Sequence, residues 1–135
     1  MIPEKRKMLW EKRKANRAEL VVPATYSIHE SSKEKIRLKE GVAKTTTRDI
    51  SILGIVLDSK YPIPKKALLN IKIDGHPFYP HRKGFDNFVY AVGEVISTIT
   101  RMKGHYRLKI RFVELQKEDE KAIAKFAEEH QRVAI

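Results

Sequence analysis

Cysteine is absent from the chain, which excludes disulfide staples, thiolate metal sites and a cysteine nucleophile. That absence suits a reducing cytosol and rules out a disulfide scaffold. Long apolar runs are missing as well, and no stretch approaches a membrane span. The basic N-terminus holds only the short Met8-Leu9-Trp10 patch, flanked by charge, where a signal peptide would carry an apolar core. The expectation is a cytoplasmic protein without a membrane span. Catalytic signatures are lacking too: there is no nucleophile elbow, no P-loop and no G-x-G-x-x-G. The 5 histidines form no metal pattern, and His76 and His81 read as surface loop residues. Glu118-Asp119-Glu120 reads as a solvated helix start that complements the helix dipole. No enzyme, no metal and no resident cofactor are expected.

What is there in excess is positive charge. Lys and Arg total 28 against 17 acidic residues, a formal net charge of +11. Such a surplus attracts polyanions: nucleic acid, acidic membrane or a phosphorylated small molecule. Charge sets the class of partner and does not choose within it. At 135 residues the chain has the size of one domain and enough length for a real core.

The basic residues are unevenly spread. Lys5, Arg6, Lys7, Lys12, Arg13, Lys14 and Arg17 crowd the first residues against only Glu4 and Glu11. Residues 1–17 therefore read as a basic arm, a short helix or a mobile segment, and residues 18–135 as the folded body. From Ala18 onward the pattern is strand-like. Leu20–Ile28 is rich in β-branched and aromatic residues, with Pro23 marking an edge or bulge. Val42–Thr47, Ile52–Leu57, Ala67–Ile73, Phe88–Thr100 and Tyr106–Val113 follow as further strands. Residues 29–40 read as a loop, and His76–Asn87 as a longer ordered excursion. Glu118–Arg132 places Ile123, Phe126 and Ala127 at helical spacing, an amphipathic C-terminal helix with His130 near its end. Short strands at regular spacing with one terminal helix point to a closed or nearly closed antiparallel barrel.

Two short motifs carry chemistry. Arg13-Lys-Ala-Asn-Arg17 is an R-x-x-x-R spacing just before the first strand, and Asp49-Ile-Ser51-Ile-Leu-Gly54 is a D-x-S-x-x-G between strands. Arginine presents a planar fork of donors that matches phosphate oxygens or the O6/N7 edge of guanine. A carboxylate accepts only, which suits the N1–H and N2–H donors of guanine, and a serine hydroxyl can do both. Glycine permits close backbone approach. Taken singly, the first motif could be a solvated basic arm and the second a simple turn. In this order, with strands around both, they describe a grip on guanine and phosphate together.

The pair resembles the signature of PilZ domains, receptors for cyclic di-GMP. The resemblance runs from about Lys12 to Arg132 and includes Ile55-Val56-Leu57 and the late strand Leu108–Val113. It implies an all-β fold, a six-stranded antiparallel PilZ-type β-barrel, with a C-terminal α-helix. It also implies ligand-binding roles for Arg13, Arg17, Asp49, Ser51 and Gly54, with the arginine segment clamping the ligand against the strand edge. Lys12, just before the first arginine, stands where the family sets whether one ligand or a stacked pair is bound, a basic residue leaning toward the pair. The loop at 76–87 has no match in the family pattern. Trp10, with Met8 and Leu9, is expected to pack on the barrel or a partner when the arm orders, whereas Phe88, Tyr90 and Phe112 read as packing residues.

The leading expectation is a signalling receptor whose ligand, cyclic di-GMP, changes a contact surface for a downstream protein partner. A basic nucleic-acid-binding barrel is the alternative, with nucleic acid the less favoured partner, and a PilZ-like interaction module that has lost nucleotide binding is the third.

Overall fold

Burial alternates with a period of two along most of the chain, as strands with one face on a core require. The computed structural model describes residues 16–83 and 86–131. Among them run β1 (Ala18–Glu19), β2 (Pro23–Ile28), β3 (Ala43–Ile50), β4 (Gly54–Ser59), β5 (Leu68–Asp74), β6 (Phe88–Met102) and β7 (His105–Leu115), then α1 (Lys117–Glu129). Neighbouring strands pair in the order β3-β2-β5-β6-β7-β4, and β4 returns to β3. That last pairing closes a six-stranded antiparallel barrel and removes its sheet edges. The expected fold class is the one observed.

Inward positions carry the core. Tyr26, Leu57, Leu69, Ile71, Ile73, Leu108 and Ile110 are almost wholly buried, and each such aliphatic side chain contributes about 1.5–3 kcal/mol on burial. Ile63 closes the barrel from the loop before β5, and Ile123 of α1 is fully buried with it. Tyr26 brings a hydroxyl inside, where it shares a 2.5 Å hydrogen bond with Ser59. Burial pushes its phenol above the ordinary value, although the Ser59 bond works the other way.

The segment expected as a single strand over 20–28 is interrupted. β1 pairs with β3 at Ala18↔Ile50 and Glu19↔Asp49, and β2 resumes at Pro23↔Thr46. Pro23 has no N–H for the ladder, so it stands where a strand starts. The buried Thr47 hydroxyl fills the gap, donating to the Leu20 carbonyl at 2.5 Å and accepting from the Val22 amide at 3.0 Å. A register shift between Thr47 and Asp49 in the β3–β4 ladder has a consequence for the surface. It leaves both Arg48 and Asp49 out of the core before Ile50 re-enters it. Bulges commonly re-aim side chains in this way.

The loop after β5 is a dock for the helix. Asn87 donates its amide to the Tyr79 carbonyl at 3.0 Å, and the Gly75 amide donates to the Asn87 carbonyl at 2.8 Å. Phe78 meets Phe126 of α1 edge to face at 5.2 Å between ring centroids. Arg82 lies over the Tyr79 ring and reaches Glu118 at 3.2 Å. The Tyr79 hydroxyl donates to Asp119 at 2.5 Å. Burial, then the bond to Asp119, raises the Tyr79 phenol well above its usual value.

Two expectations need correcting. Asp119 is not part of a solvated helix start: it is 7% exposed and serves as the acceptor for Tyr79. Tyr90 is 56% exposed rather than packed, because it falls on the outward register of β6.

Candidate functional site

The β3–β4 turn holds the second motif, and its geometry follows from local hydrogen bonding. The Ser51 amide donates to the Gly54 carbonyl at 2.9 Å, and the Ser51 hydroxyl accepts from the Leu53 amide at 3.1 Å. Serine at this position thus builds its own turn. The Leu53 carbonyl in turn accepts the Phe112 amide at 2.8 Å, which ties the turn to β7. With its oxygen committed as an acceptor, the Ser51 hydroxyl keeps its proton available to donate.

Gly54 opens β4 and is forced by packing. A Cβ at this position would lie 2.0 Å from the Ile110 carbonyl oxygen, a backbone atom that cannot yield. The close approach is to β7, across the pairing Gly54↔Arg111. A bulkier residue would push the two strands apart.

Asp49 stands one turn of the pleat before Ser51. Its carboxylate lies 3.5 Å from the Arg17 guanidinium, with the aspartate side chain 16% exposed and the arginine 56% exposed. Arg17 precedes Ala18, whose backbone pairs with Ile50 of β3 and also bridges to Gln131 beyond α1. Arg17 is thereby anchored from the Ala18 side. The structure brings three residues of the second motif and the second arginine of the first to one end of the hairpin. Lys12 and Arg13, like Met8, Leu9 and Trp10, lie outside the described residues.

A second charged group, not singled out from the sequence, occupies the outer face of the same hairpin. Asp58 of β4 meets Arg48 at 3.6 Å and Arg107 at 3.4 Å. Thr45 donates its hydroxyl to the Asp58 carbonyl, which fixes β3 to β4 at this level. On β7 the outward register carries Arg107, Lys109 and Arg111, and Arg111 pairs with Glu94 at 2.5 Å. The alternation of Tyr106–Val113 already displayed these three cations on one face, but the carboxylate that meets Arg107 comes from another strand and left no signal of its own.

Among the described residues no cluster of His, Asp and Glu could hold a metal ion, and no helix is long and apolar enough to cross a membrane. The aromatic residues Tyr61, Phe78 and Tyr79 are packed against the core rather than displayed as stacking platforms.

Comparison with known proteins adds the following. A family model described as "PilZ domain" matches residues 11–129. No curated protein is similar by sequence. The inhibitor of motility MotI/DgrA of Bacillus subtilis superposes with a TM-score of 0.64 at 13% identity, over 87% of this chain and 50% of that one. The PilZ domain with c-di-GMP of YcgR from Escherichia coli gives 0.55 at 12% identity, over 88% and 91%. A tetrameric PilZ domain from Xanthomonas campestris gives 0.57 at 13% identity, over 85% and 84%. The chain spans half the length of MotI/DgrA.

Proposed function

The chain belongs to the PilZ domain family, and from that premise we propose that it is a receptor for cyclic di-GMP that performs no chemistry of its own. The observation that carries this reading is the meeting of Arg17 with Asp49 beside the Ser51–Gly54 turn. Two motifs separated in sequence contribute donors and acceptors to one place, and the complement matches guanine plus phosphate.

The roles follow from donor and acceptor inventory. Asp49 accepts the N1–H and N2–H of a guanine. Arg17, with Arg13 of the same motif, grips phosphate oxygens and the O6/N7 edge in forked geometry. Ser51 donates the hydroxyl proton that its turn leaves unused. Gly54 and the turn provide a rigid wall, because β7 holds them from behind. Lys12, the residue before Arg13 in the sequence, leans toward a stacked pair of ligands, as the family resemblance implies.

Arg17 must leave Asp49 for this to happen. The pair is partly solvated, and such contacts are worth about 0–1 kcal/mol. A ligand making several charge-assisted hydrogen bonds offsets that readily. Because Ala18 is held between β3 and Gln131, movement of Arg17 is passed to the end of α1. The downstream protein partner then meets a changed surface, which makes the binder a switch.

Calorimetric titration with cyclic di-GMP, alongside an Arg13→Ala/Arg17→Ala variant, tests the reading. Saturable heat from the native protein and its loss in the variant are expected. No heat from the native protein would sink the receptor reading, and equal binding by both would sink the site assignment.

A further inference from the structure

At the opposite end of the β3–β4 hairpin, below the tip of the β6–β7 hairpin, lies a hollow of about 400 Å³. We propose that this hollow is a second ligand site, which takes a compact phosphate-bearing molecule of nucleotide size. Four cations converge on it from four separate places: Lys44 on β3, Lys60 after β4, Arg101 on β6 and Arg107 on β7. A charged run along one strand is ordinarily a solvated face. Cations delivered to one concavity by four chain segments are a constellation, because each adds to the same local field.

The one carboxylate in the lining does not neutralise them. Asp58 is engaged on one oxygen by Arg107 at 3.4 Å and on the other by Arg48 at 3.6 Å. Lys44, Lys60 and Arg101 form no ion pair among the described residues. They face one another's repulsion until an anion enters. The frame around them is rigid: Thr45 bonds the Asp58 carbonyl, β4 pairs with β7 through Asp58↔Arg107 and Ser59↔Tyr106, and Gly104 with φ of +78° turns the hairpin above. Lys44 and Arg107 stand at paired positions of this frame, where a donor requires little reorganisation on binding.

Size and lining argue for a small ligand. The volume falls within the about 300–1,000 Å³ usual for small-molecule sites. Tyr106 and the 65%-exposed Met102 line the hollow beside the cations, and they give a base or ribose an apolar surface to rest on. An extended nucleic-acid strand would use an open track and would gain nothing from concavity. The proposal does not depend on cyclic di-GMP, since none of the hollow's lining residues belongs to either sequence motif.

Amide NMR of the full chain, titrated separately with ATP and with inorganic triphosphate, tests this. Both should cause saturable shifts at Lys44, Lys60, Arg101 and Tyr106, with ATP binding more tightly. A Lys60→Glu/Arg101→Glu variant, altered only at exposed positions, should keep its native spectrum and lose at least about tenfold in affinity for both probes. An Arg17→Ala variant should bind them as the native protein does. Unsaturating shifts, or affinity indifferent to the charge reversal, would overturn the site. Equal affinity for ATP and triphosphate would overturn the role given to Tyr106 and Met102. A dT oligonucleotide that displaces triphosphate with affinity rising with length would overturn the small-ligand assignment in favour of a nucleic-acid strand.

Discussion

Asp49 and Asp58 lie on the two strands of one hairpin, and each carboxylate is met by arginine, yet the two pairings differ in what holds the arginine. Arg107 of β7 is paired directly across from Asp58, and Arg48 is the bulge residue of β3, flanked by the ladder pairs of Thr47 and Asp49. Arg17 comes from ahead of the barrel, and Ala18, paired with Ile50, holds it from the following residue. An ion pair between locked strands is part of the frame. The pair whose cation comes from outside the six barrel strands is the one placed beside the serine turn, and the proposed function requires it to open. The same side-chain chemistry thus ties strands together at one end of the hairpin and, under the proposed function, forms a latch at the other.

Perturbations that separate the two ends follow, in descending size. Gly54→Val should be the most damaging, because its side chain would collide with the Ile110 carbonyl. A loss of about 3 kcal/mol in denaturant unfolding is expected from such overpacking, and an unchanged midpoint would mean that β4 and β7 can separate freely. Asp49→Asn and Arg17→Ala should each weaken cyclic di-GMP binding by about 10- to 100-fold, the worth of a charge-assisted hydrogen bond. Their unfolding free energies should stay within about 1 kcal/mol of the native protein. A large stability loss would show that the Arg17–Asp49 pair holds the fold together rather than opening for a ligand.

Tyr79→Phe removes the donor to the buried Asp119, and about 1–3 kcal/mol of stability should go with it. The pH dependence has a definite sign. The Tyr79 phenol is raised by burial and by the Asp119 bond, so its contribution is complete below the unfolded tyrosine pKa of about 10. It is lost as pH climbs above that toward the higher folded value. The Phe variant should show a flatter decline in alkaline thermal melts. Asp58→Asn should be the mildest change, below about 1 kcal/mol and smaller still in high salt. Cyclic di-GMP affinity should stay within about twofold, and a larger drop would merge the two ends into one site.

Much of the barrel was legible because strand burial obeys a period of two: Leu108, Ile110 and the outward Arg107, Lys109 and Arg111 can be read from alternation alone. The terminal helix was equally plain from Ile123 and Ala127. Where the reading slipped, long-range contacts had overridden local pattern. The break between β1 and β2 depends on the Thr47 hydroxyl, contributed from over twenty residues away. Asp119 sits in an acidic run that looks solvated, and only Tyr79, forty positions earlier, makes it a buried acceptor. The Asp49–Ser51–Gly54 spacing marked a candidate site, but not that Gly54 answers to β7. The hollow at Asp58 left no trace in sequence order, since its cations come from four separate segments.

The central claim is that cyclic di-GMP is received at the Arg17–Asp49 end of the hairpin. Amide chemical shifts followed during titration with that nucleotide test it most directly. The account predicts saturable changes at Arg17–Glu19 and Asp49–Gly54, reaching Gln131, with Asp58–Lys60 and Arg101–Arg107 left in place. Changes confined to the Asp58 end, with Arg17 and Asp49 unmoved, would contradict it.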